Sequence, residues 1–264
     1  MKIGVTLPTF TSDARRALRA AETAERCGLD GVFAFDHLWP LGRPGSPALW
    51  SFGVLAAVAA MTERVRIGPL VARVGLLPDA DLLGAFAALA QVAGPSRVIA
   101  GVGSGDHLSA PENRAYGVDY PHAAVRLADV ERVAATLIGR GLTTWVGGRS
   151  PAIAGVASRS GAARNLWGAG AEELTSAGAH EGHVLRVTWG GQVLVGRDRA
   201  EADELAGRFG ARPGLVAGTV DEVAAHLAGL RAAGAAWCVC SPLDYIERPE
   251  AAVETIGLVR DAIT

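Results

Sequence analysis

An Asp-His pair at Asp36-His37 follows directly on the apolar run Val32 to Phe35. A buried strand that stops at two ionisable residues sets them at a rim, where a His titrates near working pH and a carboxylate beside it can tune it, so the pair is suited to general acid-base chemistry. The competing structural role is an Asp that caps the next loop and a His that packs. Gly101-Val102-Gly103-Ser104-Gly105 invites comparison with a dinucleotide loop, but the sixth-position glycine and the following helix of that fingerprint are missing. Asp106 to Pro111 reads instead as polar loop, and the glycines as places where backbone can approach a flat ligand. In Trp145 to Ala152, WVGGRSPA, a Gly-Gly turn runs into a Ser-Pro helix start with Arg149 beside it. Free backbone N–H groups at the positive end of a helix suit a phosphate, and an ordinary capped turn is compatible with the same residues. His180 to His183, HEGH, has its histidines three apart where a helical zinc site needs four, so a solvated loop is expected and no metal. A serine hydrolase built on Ser104 lacks the G-x-S-x-G elbow.

These candidates need elements to hold them, and the chain supplies an alternation. Strand patterns are expected at Lys2 to Leu7, Val32 to Phe35, Val65 to Val71, Arg97 to Val102, Thr143 to Val146, Ala163 to Leu166, Val184 to Val195 and Ala236 to Cys240. Helices are expected at Asp13 to Cys27, Pro47 to Met61, Ala80 to Ala93, Pro121 to Ile138, from near Ser150, from near Ala171, and at Arg199 to Phe209, Val220 to Ala233 and Pro249 to Ile263. Gly190-Gly191 suggests a bulge in the seventh strand. Eight strand-helix units with strands apolar on both faces predict a parallel sheet covered by helices, and 264 residues suit closure into an α/β (β/α)8 TIM barrel of one domain over residues 1–264. An open doubly wound sheet is the alternative. In a barrel the site lies at the strand C-termini. Pro8 to Phe10, Asp36, His37, Trp39, Ala72-Arg73, Gly103 to His107 and Gly147 to Ser150 all gather there.

Net charge is −2 and Arg is spread along the chain, which argues against nucleic acid as partner. No apolar run reaches the roughly 18 residues of a membrane span, and the start of the chain shows no secretory pattern, so a cytoplasmic protein is expected. Three cysteines give no disulfide framework; Cys238 and Cys240 share a strand face opposite Val239 and are expected, with Cys27, to be structural thiols.

Taken together, MKIGVTLPTF, AERCGLDGVFAFDHLW, TERVRIGPLVARVG, GVGSGDHLSAPENRAYGV, WVGGRSPA and TWGGQVLVG resemble the luciferase-like monooxygenase superfamily, and within it the branch that uses the deazaflavin coenzyme F420. The resemblance implies a bacterial-luciferase-like barrel with the cofactor across the strand C-termini and His37, oriented by Asp36, as the acid-base group. It implies a kink, in many relatives a cis peptide, near Val71 to Arg73. Ala72, Arg73, Gly103, Ser104, Gly105 and Asp106 would flank the cofactor, Gly147, Gly148 and Arg149 would hold its phosphate, and Asn165 would lie nearby. Relatives often carry Ala-Asp-Gly-Trp-Asn before the sixth unit, where this chain has Gly161-Ala162-Ala163-Arg164-Asn165. The implied function is hydride transfer between the deazaflavin and a small organic substrate, by a homodimer. An FMN-dependent monooxygenase on the same barrel and a non-catalytic flavin-binding or carrier protein are the alternatives.

Overall fold

A computed structural model describes residues 1–40, 42–180 and 183–263 of the chain. Twelve strands and ten α-helices are described, in the order β1 (Lys2–Thr6), α1 (Ala14–Arg26), β2 (Gly31–Ala34), α2 (Ser51–Met61), β3 (Arg66–Pro69), β4 (Ala72–Arg73), α3 (Asp79–Ala93), β5 (Ile99–Gly103), α4 (Ala110–Ala115), α5 (Ala123–Gly139), β6 (Thr143–Gly147) and α6 (Pro151–Ser160). The second part runs β7 (Ala163–Trp167), α7 (Ala171–Ala177), β8 (Ala179–His180), β9 (His183–Val184), β10 (Val187–Gly196), α8 (Arg199–Phe209), β11 (Val216–Thr219), α9 (Val220–Ala232), β12 (Ala235–Pro242) and α10 (Pro249–Ile263).

The main sheet is parallel and runs β3-β2-β1-β12-β10-β7-β6-β5-β4. Its two ends are halves of one strand: β3 and β4 are separated only by a cis Leu70-Val71 peptide, β4 pairs with β5, and Ile67 bridges to Val98. The sheet therefore closes into the expected eight-stranded barrel, and the kink falls where the family resemblance implies it. Local signals place the helices: Asp13 caps α1, Ser150 caps α6 with Pro151 in the first turn, and Thr219 and Glu222 form a capping box on α9.

Strand side chains alternate, so each strand feeds two cores. Ile3, Val5, Cys238 and Cys240 pack against the helices, whereas Phe33, Ile99, Trp145, Trp237 and Val239 form a separate cluster inside the barrel. Phe33, Trp145 and Trp237 meet pairwise with ring centroids 5.3 to 5.8 Å apart. Such rings fit because facing positions are glycine: a Cβ on Gly4 would sit 2.8 Å from the Phe33 ring, and one on Gly31 3.1 Å from the Trp237 ring. Large and small residues thus interdigitate inside the barrel. The thiols of Cys238 and Cys240 are buried as expected, and burial pushes Cys238 up to about 12.

Several boundaries differ from expectation. The helix expected from Pro47 starts at Ser51, because the preceding segment is a loop in which the Leu49 N–H donates to the Thr9 carbonyl. Gly190-Gly191 lies inside a continuous strand; the register shift against β12 falls earlier, between Val187 and Trp189. β11, not expected from the sequence, extends β10 beyond the barrel. The largest difference is after β5, where the expected polar loop contains a 3-10 turn at His107–Ser109 and helix α4. The HEGH expectation falls partly on Glu181 and Gly182, which lie outside the described residues; the flanking β8 and β9 pair antiparallel.

Candidate active site

Asp36 and His37 follow β2 at the C-terminal mouth and make different contacts. Asp36 turns inward: Ser51 Oγ, at the start of α2, donates to its Oδ1 at 2.8 Å and the Arg73 backbone N–H to its Oδ2 at 3.2 Å. Burial pushes its carboxyl above the usual carboxylate range, opposed by those two hydrogen bonds and the Arg73 and His37 charges. Asp36 thus ties the second strand to the kinked third.

His37 is oriented by a residue that the sequence reading did not single out. Glu112, on α4, is fully buried, and its two carboxylate oxygens lie 3.1 and 3.2 Å from His37 Nδ1. The Leu38 backbone N–H donates to Glu112 Oε1 at 3.1 Å, and Arg73 Nη2 stands 2.7 Å from Oε2. Arg73 is itself 5% exposed and donates from Nη1 to the Ser109 carbonyl at 3.2 Å. Burial pushes the Glu112 carboxyl upward, but the His37 hydrogen bond and the His37 and Arg73 charges outweigh it and hold the group below its ordinary value. Because an ionised carboxylate only accepts, Nδ1 of His37 donates the hydrogen bond to Glu112, and the lone pair of the neutral ring lies on Nε2. The imidazole side chain is 24% exposed and next to Phe10, which stacks on Phe35 at 5.6 Å between centroids; Phe35 in turn meets Trp167 edge-on at 5.5 Å. The imidazole therefore stands at the edge of an aromatic cup.

The floor beside this cup is made by Val71. A Cβ on Gly103 would lie 2.6 Å from Val71 Cγ2, and one on Gly147 would lie 3.0 Å from both Val71 methyl groups, so glycine at the ends of β5 and β6 lets the kinked segment cross the barrel mouth. Ala72 is fully buried beside it. Gly105 has φ of 64° and packs on Arg73, Ser104 offers its carbonyl to Arg126 Nε at 3.1 Å, and Asp106 caps the 3-10 turn through the Leu108 N–H at 2.9 Å. The expected loop residues thus gather around Arg73, but Asp106 and Arg126 are spent on holding the loop.

The helix-end motif sits across the mouth. Ser150 caps α6, accepting from the Ile153 N–H at 3.3 Å, and Gly148 has φ of 141° with its N–H on the Asn165 carbonyl. The Arg149 guanidinium, more than half exposed, is paired with Glu173 rather than turned to the turn itself. The Asn165 side chain is buried and donates to Thr188 Oγ1 at 2.9 Å, so it is spent on holding β10 and not turned to the expected cofactor site.

Glu112 escaped the sequence reading because its partners are remote in the chain. Ser109-Ala110-Pro111-Glu112 carries the Ser-x-x-Glu spacing with a proline in the first turn, the signal of a helix start that would have placed a carboxylate on an ordered element. Thr9, expected at this rim, has its Oγ1 buried with no hydrogen-bond partner among the described residues.

The model of the luciferase-like monooxygenase family matches residues 1–143, more than half of the chain and the part that carries Asp36, His37, Arg73 and Glu112. The chain belongs to this family. It is 34% identical over 133 residues to an F420-dependent glucose-6-phosphate dehydrogenase of Amycolatopsis mediterranei, a match that covers 48% of this chain and 38% of that enzyme. Among solved structures it resembles an F420-dependent secondary alcohol dehydrogenase in complex with an F420-acetone adduct, with a TM-score of 0.80, 16% identity and coverage of 100% and 99% of the two chains. It also resembles the monooxygenase RslO1 from Streptomyces bottropensis, with a TM-score of 0.76, 19% identity and coverage of 98% of each chain. These structural likenesses establish the luciferase-like barrel.

Proposed function

We propose that this luciferase-like protein is an oxidoreductase that transfers a hydride between coenzyme F420 and a small organic substrate. The observation that carries this reading is His37, held through Nδ1 by the buried Glu112 beside the glycine-lined Val71 floor. The likeness of residues in the first half to F420-dependent dehydrogenases supports the choice of cofactor. The residues fit a flat ligand through the stacked Phe10 and Phe35 rings and the edge-on Trp167, while glycine at 103 and 147 leaves room for Val71 to cross the mouth beside them.

In this reading Gly103, Ser104, Gly105 and the Val71 to Arg73 segment border the ring system, and Gly147, Gly148 and Arg149 hold the phosphate. The bound deazaflavin supplies the hydride chemistry. The chain's own residues do the rest. Nε2 of His37 gives a proton to, or takes one from, a substrate oxygen or nitrogen as charge develops there. Glu112 fixes the tautomer and steadies the imidazolium, Arg73 keeps Glu112 ionised, and Asp36 holds the Arg73 backbone in place. Phe10, Phe35 and Trp167 displace water from the reacting edge.

We further propose that the 1–264 chain works as a single barrel domain, as a homodimer in the cytoplasm. For the dimer, α2 is apolar all round and carries no charged residue, yet Gly53, Ala56, Ala57 and Ala60 face outward. For the compartment, three free cysteines suit reducing conditions. No described helix is long and apolar enough to cross a membrane. The test of the catalytic role is His37→Ala: F420 binding is retained and turnover falls by about 100-fold or more. Unchanged turnover would remove His37 from the catalytic role, and a wild type that binds F420 but turns over no substrate would be a carrier.

A further inference from the structure

Arg164 occupies a position built for an apolar residue. Alternation along β7 puts Ala163 and Trp167 on the barrel interior, so Arg164 and Leu166 face the helix layer, and Arg164 is only 6% exposed. Among the described residues no carboxylate lies within 4 Å of its guanidinium. Its partners are all carbonyl oxygens: Nε donates to Gly148 at 3.1 Å, and Nη2 to Arg149 at 2.5 Å and Ser150 at 3.2 Å. Glu173, the carboxylate whose charge bears on it, is engaged by Arg149. The sheet thus buries a positive charge that no nearby acid neutralises, directly behind the N-terminus of α6.

Peptide geometry gives this a direction. In a trans peptide the C=O and the following N–H point in opposite senses. With the carbonyls of Gly148 and Arg149 drawn onto Arg164, the N–H groups of Arg149 and Ser150 are turned the other way, and neither has an acceptor among the described residues. Two adjacent N–H groups at a helix start, backed by a buried cation, are an arrangement that suits an anion.

We propose that Arg164 is a positioning residue for the cofactor phosphate, aiming the Arg149 and Ser150 N–H groups at it from behind. This rests on the F420 reading above, and it assigns a use to the residue that stands where relatives often carry a tryptophan.

The test is fluorescence titration of the full chain with F420 and with its phosphate-free riboflavin-level deazaflavin, for wild type, Arg164→Met and Arg164→Lys, with thermal unfolding recorded alongside. Wild type is expected to prefer the phosphorylated ligand by at least about tenfold, the scale of one charge-assisted hydrogen bond. Arg164→Met should lose most of that preference while its affinity for the phosphate-free ligand stays within about twofold. Arg164→Lys, which keeps the charge but not the fork, should lie between the two; if the Met variant does not fold, the Lys variant decides. An unchanged preference, or an equal loss for both ligands, overturns the assignment. Wild type that binds both ligands equally overturns it while leaving the F420 reading intact, and wild type that binds neither overturns both.

Discussion

Replacing Glu112 by Gln removes a charge and little else. The amide keeps the shape and can still accept from Leu38 or His37, but Arg73, 2.7 Å away and 5% exposed, is left buried with its nearest counter-charge gone. Breaking a buried ion pair from one side costs about 3 kcal/mol or more. For a domain of this size that is about 6–12 °C in Tm at neutral pH. The pH dependence carries a sign. Glu112 is held below its ordinary value in the folded state. Its ionised form therefore adds stability that is fully present above the unfolded-state value of about 4.3 and is lost as pH falls through the lower folded value. Thermal unfolding by circular dichroism from pH 7 to pH 3 should show Glu112→Gln well below wild type at neutral pH, with the gap narrowing in acid. A variant within about 1 °C of wild type at pH 7, or a gap that does not change with pH, would refute the claim that an ionised, paired Glu112 orders the site.

Other expectations follow from single contacts. Asp36→Asn removes a carboxyl whose burial raises it. Wild type loses stability as pH rises from the unfolded-state value through the raised folded one, and the variant should show a flatter profile there by the same unfolding assay. Gly101→Ala would put a Cβ 2.2 Å from the Pro69 carbonyl and should cost about 1–3 kcal/mol in urea titration, whereas Gly229→Ala, in α9 with nothing within 4 Å, should gain about 0.5–1 kcal/mol. Ala57→Glu on the outward face of α2 should convert a dimer to monomer in light scattering; a monomeric wild type would contradict the proposed interface. Cys238 and Cys240 should resist a thiol reagent in the native protein and Cys27 react slowly, with rapid modification of all three showing that the barrel core is more open than described.

The barrel was legible because its signals are local. Short apolar strands, Gly stops after helices and Ser or Asp caps each announce themselves within a few residues, and the C-terminal rim of a barrel then collects Asp36, His37, Gly103 and Gly147 without further information. What the sequence hid depends on tertiary pairing. Glu112 lies 75 residues from His37, and a carboxylate in a polar segment with Pro111 beside it reads as solvated until α4 is seen to bury it. Arg149 was legible as a cation at a helix start, yet its salt bridge to Glu173, 24 residues on, directs its side chain elsewhere. Arg164 was visible only as a departure from a pattern; its grip on three carbonyls of the preceding loop requires the β6-β7 register.

The most direct measurement is equilibrium binding of the purified chain to oxidised F420 and, in parallel, to FMN, followed by fluorescence. Tight F420 binding with FMN much weaker is the predicted result. Preference for FMN would make the protein a flavin monooxygenase on the same barrel, and binding of neither would contradict the assignment of the Gly147 to Arg149 turn and with it the proposed function.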